Sequence, residues 1–212
     1  MIIGSGLIAS CLKDERDAVF YAAGVSNSAC RDEVEFQRDW SRLNENLDRP
    51  GQFVYFSTCS TADSDYVRHK HRCERLLHER GNFLICRLPI VSGRTTNPHT
   101  LLNFLNSRIA RSEKFDLYPE ARRNVIDTDE IATIVGWLLR TGAHNETINV
   151  AAPFDFSMVE IVGEFERLHK KWARTVDHFG AADKPIDTKR IQRAPVKWGD
   201  DYLRSAIEKR YA

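Results

Sequence analysis

The fold prediction starts from residues 53–70, which read FVYFSTCSTADSDYVRHK. The first four of these residues are aromatic or β-branched, and such a short apolar run predicts a buried strand. That strand brings Ser57 and Thr58 to its carboxyl end, where the ligands of open α/β sheets bind. The residues from Tyr66 to position 80 contain neither glycine nor proline, so they predict a helix that follows the strand closely.

Tyr66 and Lys70 lie four residues apart in this predicted helix, so their side chains share one helix face. An ammonium group one helical turn from a phenol favours the phenolate form, and a phenol tuned in this way can act as an acid or a base. The same spacing occurs by chance in many helices. The functional interpretation of the pair is therefore supported mainly by the strand end with Ser57 and Thr58 that precedes it.

The length and composition indicate one domain from a reducing compartment. The chain has 212 residues, which suffice for one domain with a substantial core, and its net charge is +1. This near balance gives no reason to expect a polyanion as a partner. Five cysteines are scattered without a CxxC spacing, which is typical of a cytoplasmic protein. We find neither an export signal nor an apolar run of membrane-spanning length, and we expect no membrane association.

Apolar runs and helical periodicities alternate along the chain, which predicts a parallel, doubly wound sheet. The predicted strands are residues 1–3, 18–24, 53–56, 82–89, 115–118 and 147–150. The predicted helices are residues 7–12, 32–47, 66–77, 100–111, 127–138, 157–172 and 202–209. Ser157 and Glu160 fit a capping box at the start of the sixth helix.

The first predicted strand is followed by a glycine-rich turn, residues 4–10, of the form G-x-G-x-x-A. This form is close to the dinucleotide-binding fingerprint, in which phosphate groups approach backbone N–H groups. Only residues 13–17 separate the first helix from the second strand, whereas each βαβ crossover takes at least about 10–12 residues. We therefore expect a sheet that lacks two strands in its first half, with the residue 1–3 strand at its edge.

Together these segments resemble the extended short-chain dehydrogenase/reductase family, in its branch of NAD-dependent epimerases and dehydratases. The resemblance covers about residues 1–165, and its motifs occur in the family's order. The motifs are the glycine turn at 4–10, Ala22-Ala23-Gly24, Ser57-Thr58, Tyr66-x-x-x-Lys70, RLPIVSG at 87–93 and RNVIDTDEIA at 123–132. The resemblance implies a single Rossmann-like α/β domain over 1–212, with helices on both faces of the sheet. Residues 94–125 and 151–212 would contribute a small substrate-side lobe.

The resemblance also implies an activity and a set of site residues. The protein would be a nucleotide-sugar epimerase, dehydratase or reductase that uses NAD or NADP in surface-polysaccharide biosynthesis. Tyr66 would be the catalytic acid or base, Thr58 its hydrogen-bonding neighbour at the substrate oxygen, and Lys70 the group that tunes Tyr66 and binds the nicotinamide ribose. The implied cofactor contacts are Gly4, Ser5, Gly6, Leu7, Ile8, Ala22, Ala23, Gly24, Ser57, Tyr66, Lys70, Pro89 and Val91. The implied substrate contacts are Ser60, Arg94 and Arg123, the last of which would face the substrate's phosphates.

Departures from the family pattern leave a second function open. Ile3 and Ala9 replace the outer glycines of the fingerprint, and Ile90 and Ser92 replace the usual asparagine and tyrosine. Residues 25–28 contain no acidic side chain to hold the adenosine ribose, so we expect weak cofactor binding with little discrimination between NAD and NADP. The alternative is a non-catalytic or regulatory nucleotide-binding protein of the same fold that acts as a partner protein.

The remaining signals predict structural roles. His69 and Cys73 are helix neighbours, but a metal site needs three or four convergent ligands, so we predict a solvated helix face and no metal. Trp137 and Trp172 fall on apolar helix faces and are predicted to lie in the core. The basic C-terminal segment has no recognised nucleic-acid-binding module, so we expect no nucleic acid as a partner. An exposed edge strand at residues 1–3 favours a homodimer.

Overall fold

The computed structural model describes residues 1–15, 17–180 and 185–212. Its strands are β1 (Ile2–Ile3), β2 (Ala18–Tyr21), β3 (Gln52–Thr58), β4 (Phe83–Leu88), β5 (Ile90–Ser92), β6 (Lys114–Leu117), β7 (Arg122–Arg123), β8 (Val125–Asp127), β9 (Glu146–Asn149), β10 (Phe156–Ser157) and β11 (Arg174–Asp177). Its α-helices are α1 (Leu7–Cys11), α2 (Glu33–Asn44), α3 (Asp65–Arg80), α4 (Leu101–Ala110), α5 (Thr128–Arg140), α6 (Met158–His169) and α7 (Tyr202–Tyr211). A short 3-10 helix covers Lys189–Ile191.

The main sheet has five parallel strands in the order β1-β2-β3-β4-β9. The strand β1 lies at one edge, where Ile2 pairs with Phe20 of β2. On the other side of β2, Ala18 pairs with Gln52 of β3. The predicted reduction of the sheet is therefore confirmed. Because so few residues join α1 to β2, the chain passes directly from the first strand to its neighbour without a further crossover.

Helices cover both faces of this sheet, and the alternation of side chains along β3 explains why. Val54 and Phe56 face a core cluster that contains residues of α1 and α5. Phe53 and Tyr55 point the other way, into a cluster with residues of α2 and α3. Because successive side chains of a strand point to opposite faces, a strand buried on both faces is apolar throughout. The predicted α/β class with helices on both faces is confirmed.

A second core forms beside the sheet from α4, β6, α6 and α7. Three small sheets frame it: β5 pairs with β8 and β6 pairs with β11 in parallel, while β7 pairs antiparallel with β10. These elements come from residues 90–127 and 156–211, close to the two segments predicted to form the substrate-side lobe. Their role in substrate binding stays a prediction.

The two ends of α6 show one prediction that is confirmed and one that is wrong. The capping box of Ser157 and Glu160 is present at the start of α6 and confirms its prediction. This helix ends at His169, because Lys170 takes a left-handed conformation with φ of 53°. Trp172 therefore lies beyond the helix and is 84% exposed, so its predicted core position was wrong. Trp137 packs against the sheet core as predicted.

The strand β5 was missed at the sequence level. Pro89 was expected to end the strand before it, and β4 does end at Leu88. The chain then continues as a separate three-residue strand, in which Ile90 pairs with Val125 of β8.

Among the described residues, no helix combines the length and the apolar character needed to cross a membrane.

Candidate functional site

The glycine-rich turn after β1 packs directly on the end of β2. Gly4 has a φ of 125°, and a Cβ atom there would lie 2.5 Å from the carbonyl oxygen of Ala22 and 2.9 Å from the nitrogen of Ala23. Only glycine tolerates both the backbone angle and this approach. Gly6 has a φ of −82°, and a Cβ atom built on it would meet no atom within 4 Å. The turn is thus packed against the backbone after β2 at Gly4, whereas at Gly6 it borders empty space.

A cavity of about 700 Å³ opens beside Gly6. The glycine turn, the loop after β5, and the helices α4 and α7 enclose it. Four predicted site residues line it, namely Ser5, Gly6 and Leu7 as cofactor contacts and Arg94 as a substrate contact. The lining residues that sequence reasoning missed are Ser10, Gly93, Thr95, Thr96, Asn103, Asn106, Arg210 and Tyr211.

The C-terminal helix α7 is fixed against this cavity by a buried ion pair. Arg210 donates from Nε to Asp127 Oδ2 at 2.7 Å and from Nη2 to Asp127 Oδ1 at 2.6 Å. Hydrogen bonds to Asp127 hold the pKa of Arg210 above its usual value. Tyr211 donates to Asn103 Oδ1 of α4 at 2.9 Å. The paired guanidinium of Arg210 therefore stands at the cavity wall with a fixed orientation.

The structure brings Tyr66, Lys70 and Gly24 together in a second group. The ammonium of Lys70 is buried and donates to the carbonyl oxygen of Phe56 at 3.1 Å. Its nitrogen lies 5.8 Å from the centroid of the Tyr66 ring. A Cβ atom on Gly24 would lie 2.8 Å from this nitrogen, so the glycine makes room for the ammonium. The predicted proximity of Tyr66 and Lys70 is present, as expected for residues one helical turn apart.

A buried carboxylate that sequence reasoning missed stands beside Lys70. Asp39 of α2 accepts hydrogen bonds from the Tyr21 hydroxyl at 2.8 Å and from the Val25 N–H at 3.1 Å, and it contacts His69 Nε2 at 2.8 Å. Burial acts to raise the pKa of Asp39, but His69, Lys70 and Tyr21 together outweigh it and lower the pKa to about 2. The signal was available, because Asp39 occupies the buried stripe of α2 together with Phe36 and Leu43.

The neighbours of Asp39 on α3 correct a further prediction. His69 and Cys73 are both buried, so the predicted solvated face was wrong at these positions. The reason is that α2 packs over this side of α3, which brings Asp39 onto His69. Burial acts to lower the pKa of His69, but the hydrogen bonds to Asp39 and Cys73 outweigh it and raise the pKa to about 9. Ligand atoms of Asp39, His69 and Cys73 all lie within 4.8 Å of one another.

The polar residues at the end of β3 bond within the protein. Ser57 donates to Glu74 Oε1 at 2.5 Å, and Glu74 also accepts from Arg87 Nε at 2.9 Å. Burial acts to raise the pKa of Glu74, but the hydrogen bonds from Arg87 and Ser57 outweigh it and lower the pKa. Thr58 Oγ1 accepts from the backbone N–H of Ser60 at 3.1 Å. Roles for Ser57, Thr58 and Ser60 in binding or catalysis stay predictions.

The remaining predicted residues surround these two groups. Ala22 and Ala23 lie between the two groups. Gly4 of the glycine turn packs on their backbone, and the next residue, Gly24, packs on the Lys70 ammonium. Arg123 is half-buried on β7 and donates to the carbonyl oxygen of Arg122 at 2.9 Å, and burial lowers its pKa. It does not line the cavity. Ile8, Pro89 and Val91 are half-buried beside the main sheet or at its carboxyl end.

Comparisons with known proteins identify the fold. No protein-family model matches the sequence, and no curated protein matches it. The structure is similar to UDP-glucuronic acid 4-epimerase from Bacillus cereus in complex with NAD, at 17% identity and a TM-score of 0.72, over 92% of this chain and 73% of that one. It is also similar to dTDP-glucose 4,6-dehydratase from Bacillus anthracis in complex with NAD, at 14% identity and a TM-score of 0.70, over 91% and 71%.

A third similar structure is RMD from Pseudomonas aeruginosa complexed with NADPH, at 16% identity and a TM-score of 0.69, over 91% of this chain and 80% of that one. The chain therefore has the Rossmann-like fold of these epimerases and dehydratases. The fold resemblance stated from the sequence is confirmed.

Proposed function

We propose that this protein is a nicotinamide-dependent enzyme that modifies nucleotide sugars, as an epimerase, dehydratase or reductase. The observation that carries the proposal is the cavity of about 700 Å³ that opens at the glycine turn, on the fold of sugar epimerases and dehydratases. Its size lies within the range of about 300–1,000 Å³ that is usual for small-molecule sites. Surface-polysaccharide biosynthesis is the role that we propose for such an activity.

The residues around the glycine turn fit a dinucleotide. Gly6 leaves open space where a side chain would stand, so a phosphate can approach the backbone of Ser5, Gly6 and Leu7. Ala22, Ala23 and Gly24 follow β2 beside the turn and would be further contacts of the cofactor. A bound NAD or NADP would supply the hydride acceptor or donor. The three predicted cofactor contacts that line the cavity, Ser5, Gly6 and Leu7, support NAD or NADP as the cofactor.

Tyr66 would move the proton in this mechanism. The centroid of its ring lies within 6 Å of the Lys70 ammonium nitrogen. Lys70 is held by the carbonyl oxygen of Phe56 and by the nearby carboxylate of Asp39. Thr58 would hydrogen-bond the same substrate oxygen as Tyr66.

The substrate would be bound by residues outside this group. Arg94, which is exposed at the cavity, and Arg123 would bind the phosphates of the substrate, and Ser60 would contact the sugar.

A second candidate is a non-catalytic nucleotide-binding protein of the same fold. It is favoured by the burial of Lys70, which is 4% exposed and already donates to Phe56 within the protein. The cavity residues would then hold a nucleotide without turnover. The two candidates share cofactor or nucleotide binding and differ only in chemistry.

Titration with NAD, NADH, NADP and NADPH, read by fluorescence and calorimetry, tests the shared part first. We expect binding to the wild type and its loss in Gly6→Val, because the added side chain would fill the open space at the turn. Gly163→Val is the matched control, since a Cβ atom there also meets nothing within 4 Å but lies on α6, outside the cavity lining. Absence of binding for all four cofactors would refute the proposal. Binding without turnover of any nucleotide sugar tested would favour the second candidate.

A further inference from the structure

The buried cluster between α2 and α3 lies outside the residues assigned to cofactor and substrate. It consists of Asp39 from α2, His69 and Cys73 from α3, and Tyr55 from β3. Asp39 and Cys73 are fully buried, and His69 is 6% exposed. These side chains offer oxygen, nitrogen and sulfur ligands, a donor set that suits a borderline-soft divalent cation.

The ligand atoms of Asp39, His69 and Cys73 come from two helices and all lie within 4.8 Å of one another. A single nitrogen, His69 Nε2, faces both Asp39 Oδ2 at 2.8 Å and Cys73 Sγ at 3.7 Å. In tetrahedral zinc, bond lengths of about 2.0–2.1 Å to nitrogen and 2.3 Å to sulfur place these two atoms about 3.6 Å apart. The observed separation of nitrogen and sulfur matches this value. The nitrogen and the carboxylate oxygen, now 2.8 Å apart, would have to part to about 3.4 Å.

The hydroxyl of Tyr55 is a further observation at the cluster. It is the one fully buried side-chain oxygen or nitrogen among the described residues that lacks a hydrogen-bond partner. The ring of Tyr55 stacks on the ring of Tyr21, whose hydroxyl donates to Asp39, and burial together with the neighbouring Cys73 raises the pKa of Tyr55. A buried polar group without a partner is unfavourable, and coordination of a cation by the Tyr55 hydroxyl would remove that cost.

Groups around the cluster are arranged as they are around bound metals. Asp39 Oδ1 accepts from the Tyr21 hydroxyl at 2.8 Å, which fixes the orientation of the carboxylate. Lys70 is the nearby cation, and it is turned to the carbonyl oxygen of Phe56. A divalent cation with a carboxylate, a thiolate and a neutral imidazole forms a neutral unit, so Lys70 faces no additional positive charge.

We propose that Asp39, His69 and Cys73, with Tyr55 as the fourth side chain, form a structural zinc site. The cation would join α2 to α3 and hold the loop after β2, because Asp39 also accepts from the N–H of Val25. Its function is independent of the cofactor cavity, and it stands whether or not the protein catalyses a reaction. Asp39 and Tyr55 are the third and fourth ligands, and neither could be assigned to the pair of His69 and Cys73 from the sequence.

The test measures metal in the intact protein. The chain is purified from zinc-supplemented cells, its metal content is determined by mass spectrometry, and the chelated protein is titrated with Zn²⁺ against a chromophoric chelator. Co²⁺ then replaces Zn²⁺, because a cobalt–thiolate charge-transfer band reports sulfur ligation directly. The variants are Cys73→Ala, His69→Gln and Tyr21→Phe, with Cys59→Ala and His71→Gln as matched controls outside the cluster.

We expect one zinc per chain, and a loss of zinc affinity of at least about 100-fold in Cys73→Ala and His69→Gln. Tyr21→Phe removes only the hydrogen bond to Asp39 and should weaken zinc binding by about 10–100-fold. Both controls should bind zinc like the wild type. If Cys73→Ala does not fold, the cobalt–thiolate band is measured in Cys59→Ala instead, where it should remain because Cys73 is still present. Wild-type protein that binds no stoichiometric zinc at micromolar free zinc, or a cobalt complex without the thiolate band, would overturn the proposal.

Discussion

Gly4→Ala should destabilise the protein strongly although it adds a single methyl group. The backbone at Gly4 has a φ of 125°, and the new Cβ atom would lie 2.5 Å from the carbonyl oxygen and 2.6 Å from the carbonyl carbon of Ala22. Both atoms belong to backbone at the end of β2. The methyl group therefore cannot be accommodated by the movement of a flexible side chain, and the turn or the strand must shift.

The expected cost follows from two unfavourable contributions and one small favourable one. A non-glycine residue at this backbone angle costs about 1–3 kcal/mol. The overlap with backbone adds about 1–3 kcal/mol. Alanine lowers the conformational entropy of the unfolded chain, which returns about 0.4–1 kcal/mol. We expect the free energy of unfolding to fall by about 2–5 kcal/mol, which corresponds to a drop in Tm of about 2–4 °C for each kcal/mol in a chain of this length.

Gly6→Ala is the matched control, since it adds the same methyl group two residues away. Gly6 has a φ of −82° and no atom within 4 Å of a Cβ. We expect its free energy of unfolding to change by less than about 0.5 kcal/mol, while cofactor affinity falls because the methyl group enters the cavity. Urea denaturation of both variants measures the difference. A loss of less than about 1 kcal/mol in Gly4→Ala, or an equal loss in Gly6→Ala, would refute the reasoning.

Four further expectations follow from named contacts. Tyr66→Phe should lower turnover by about 10²–10⁴-fold with cofactor affinity retained, and turnover within threefold of wild type would contradict the role of Tyr66 in acid/base chemistry. Arg123→Ala should raise the KM for a nucleotide-diphosphate sugar more than it lowers kcat, and unchanged binding of nucleoside diphosphates would exclude a phosphate contact. Asp127→Ala removes the bidentate partner of Arg210 and the N-cap of α5, while Arg210 keeps its hydrogen bond to Asp129. The free energy of unfolding should therefore fall by about 2–5 kcal/mol in a urea titration. Glu74 has a pKa held below that of an unfolded glutamate, so its stabilising contribution is present above about pH 4.3 and is lost as the pH falls through the folded pKa; in Glu74→Gln this part of the acid dependence of stability should disappear.

The sequence by itself determined where β1, β2 and β3 lie in the main sheet. Each strand is a short apolar run, and the few residues between α1 and β2 leave no room for a crossover, so β1 had to lie at the edge beside β2. The capping box at Ser157 and the proximity of Tyr66 to Lys70 were also predictable. The physical reason is the same in each case, since the residues concerned are near neighbours in the chain and their geometry is set by one strand or one helix.

The tertiary structure alone decided which distant residues meet. Asp39 and His69 are 30 positions apart, and their contact depends on how α2 packs over α3. Arg210 reaches Asp127 across 83 positions, so the cavity wall at α7 could not be inferred from a local pattern. Periodicity fixes which side of a helix is buried but not which partner covers it, because that choice is made by the packing of whole elements around a common core.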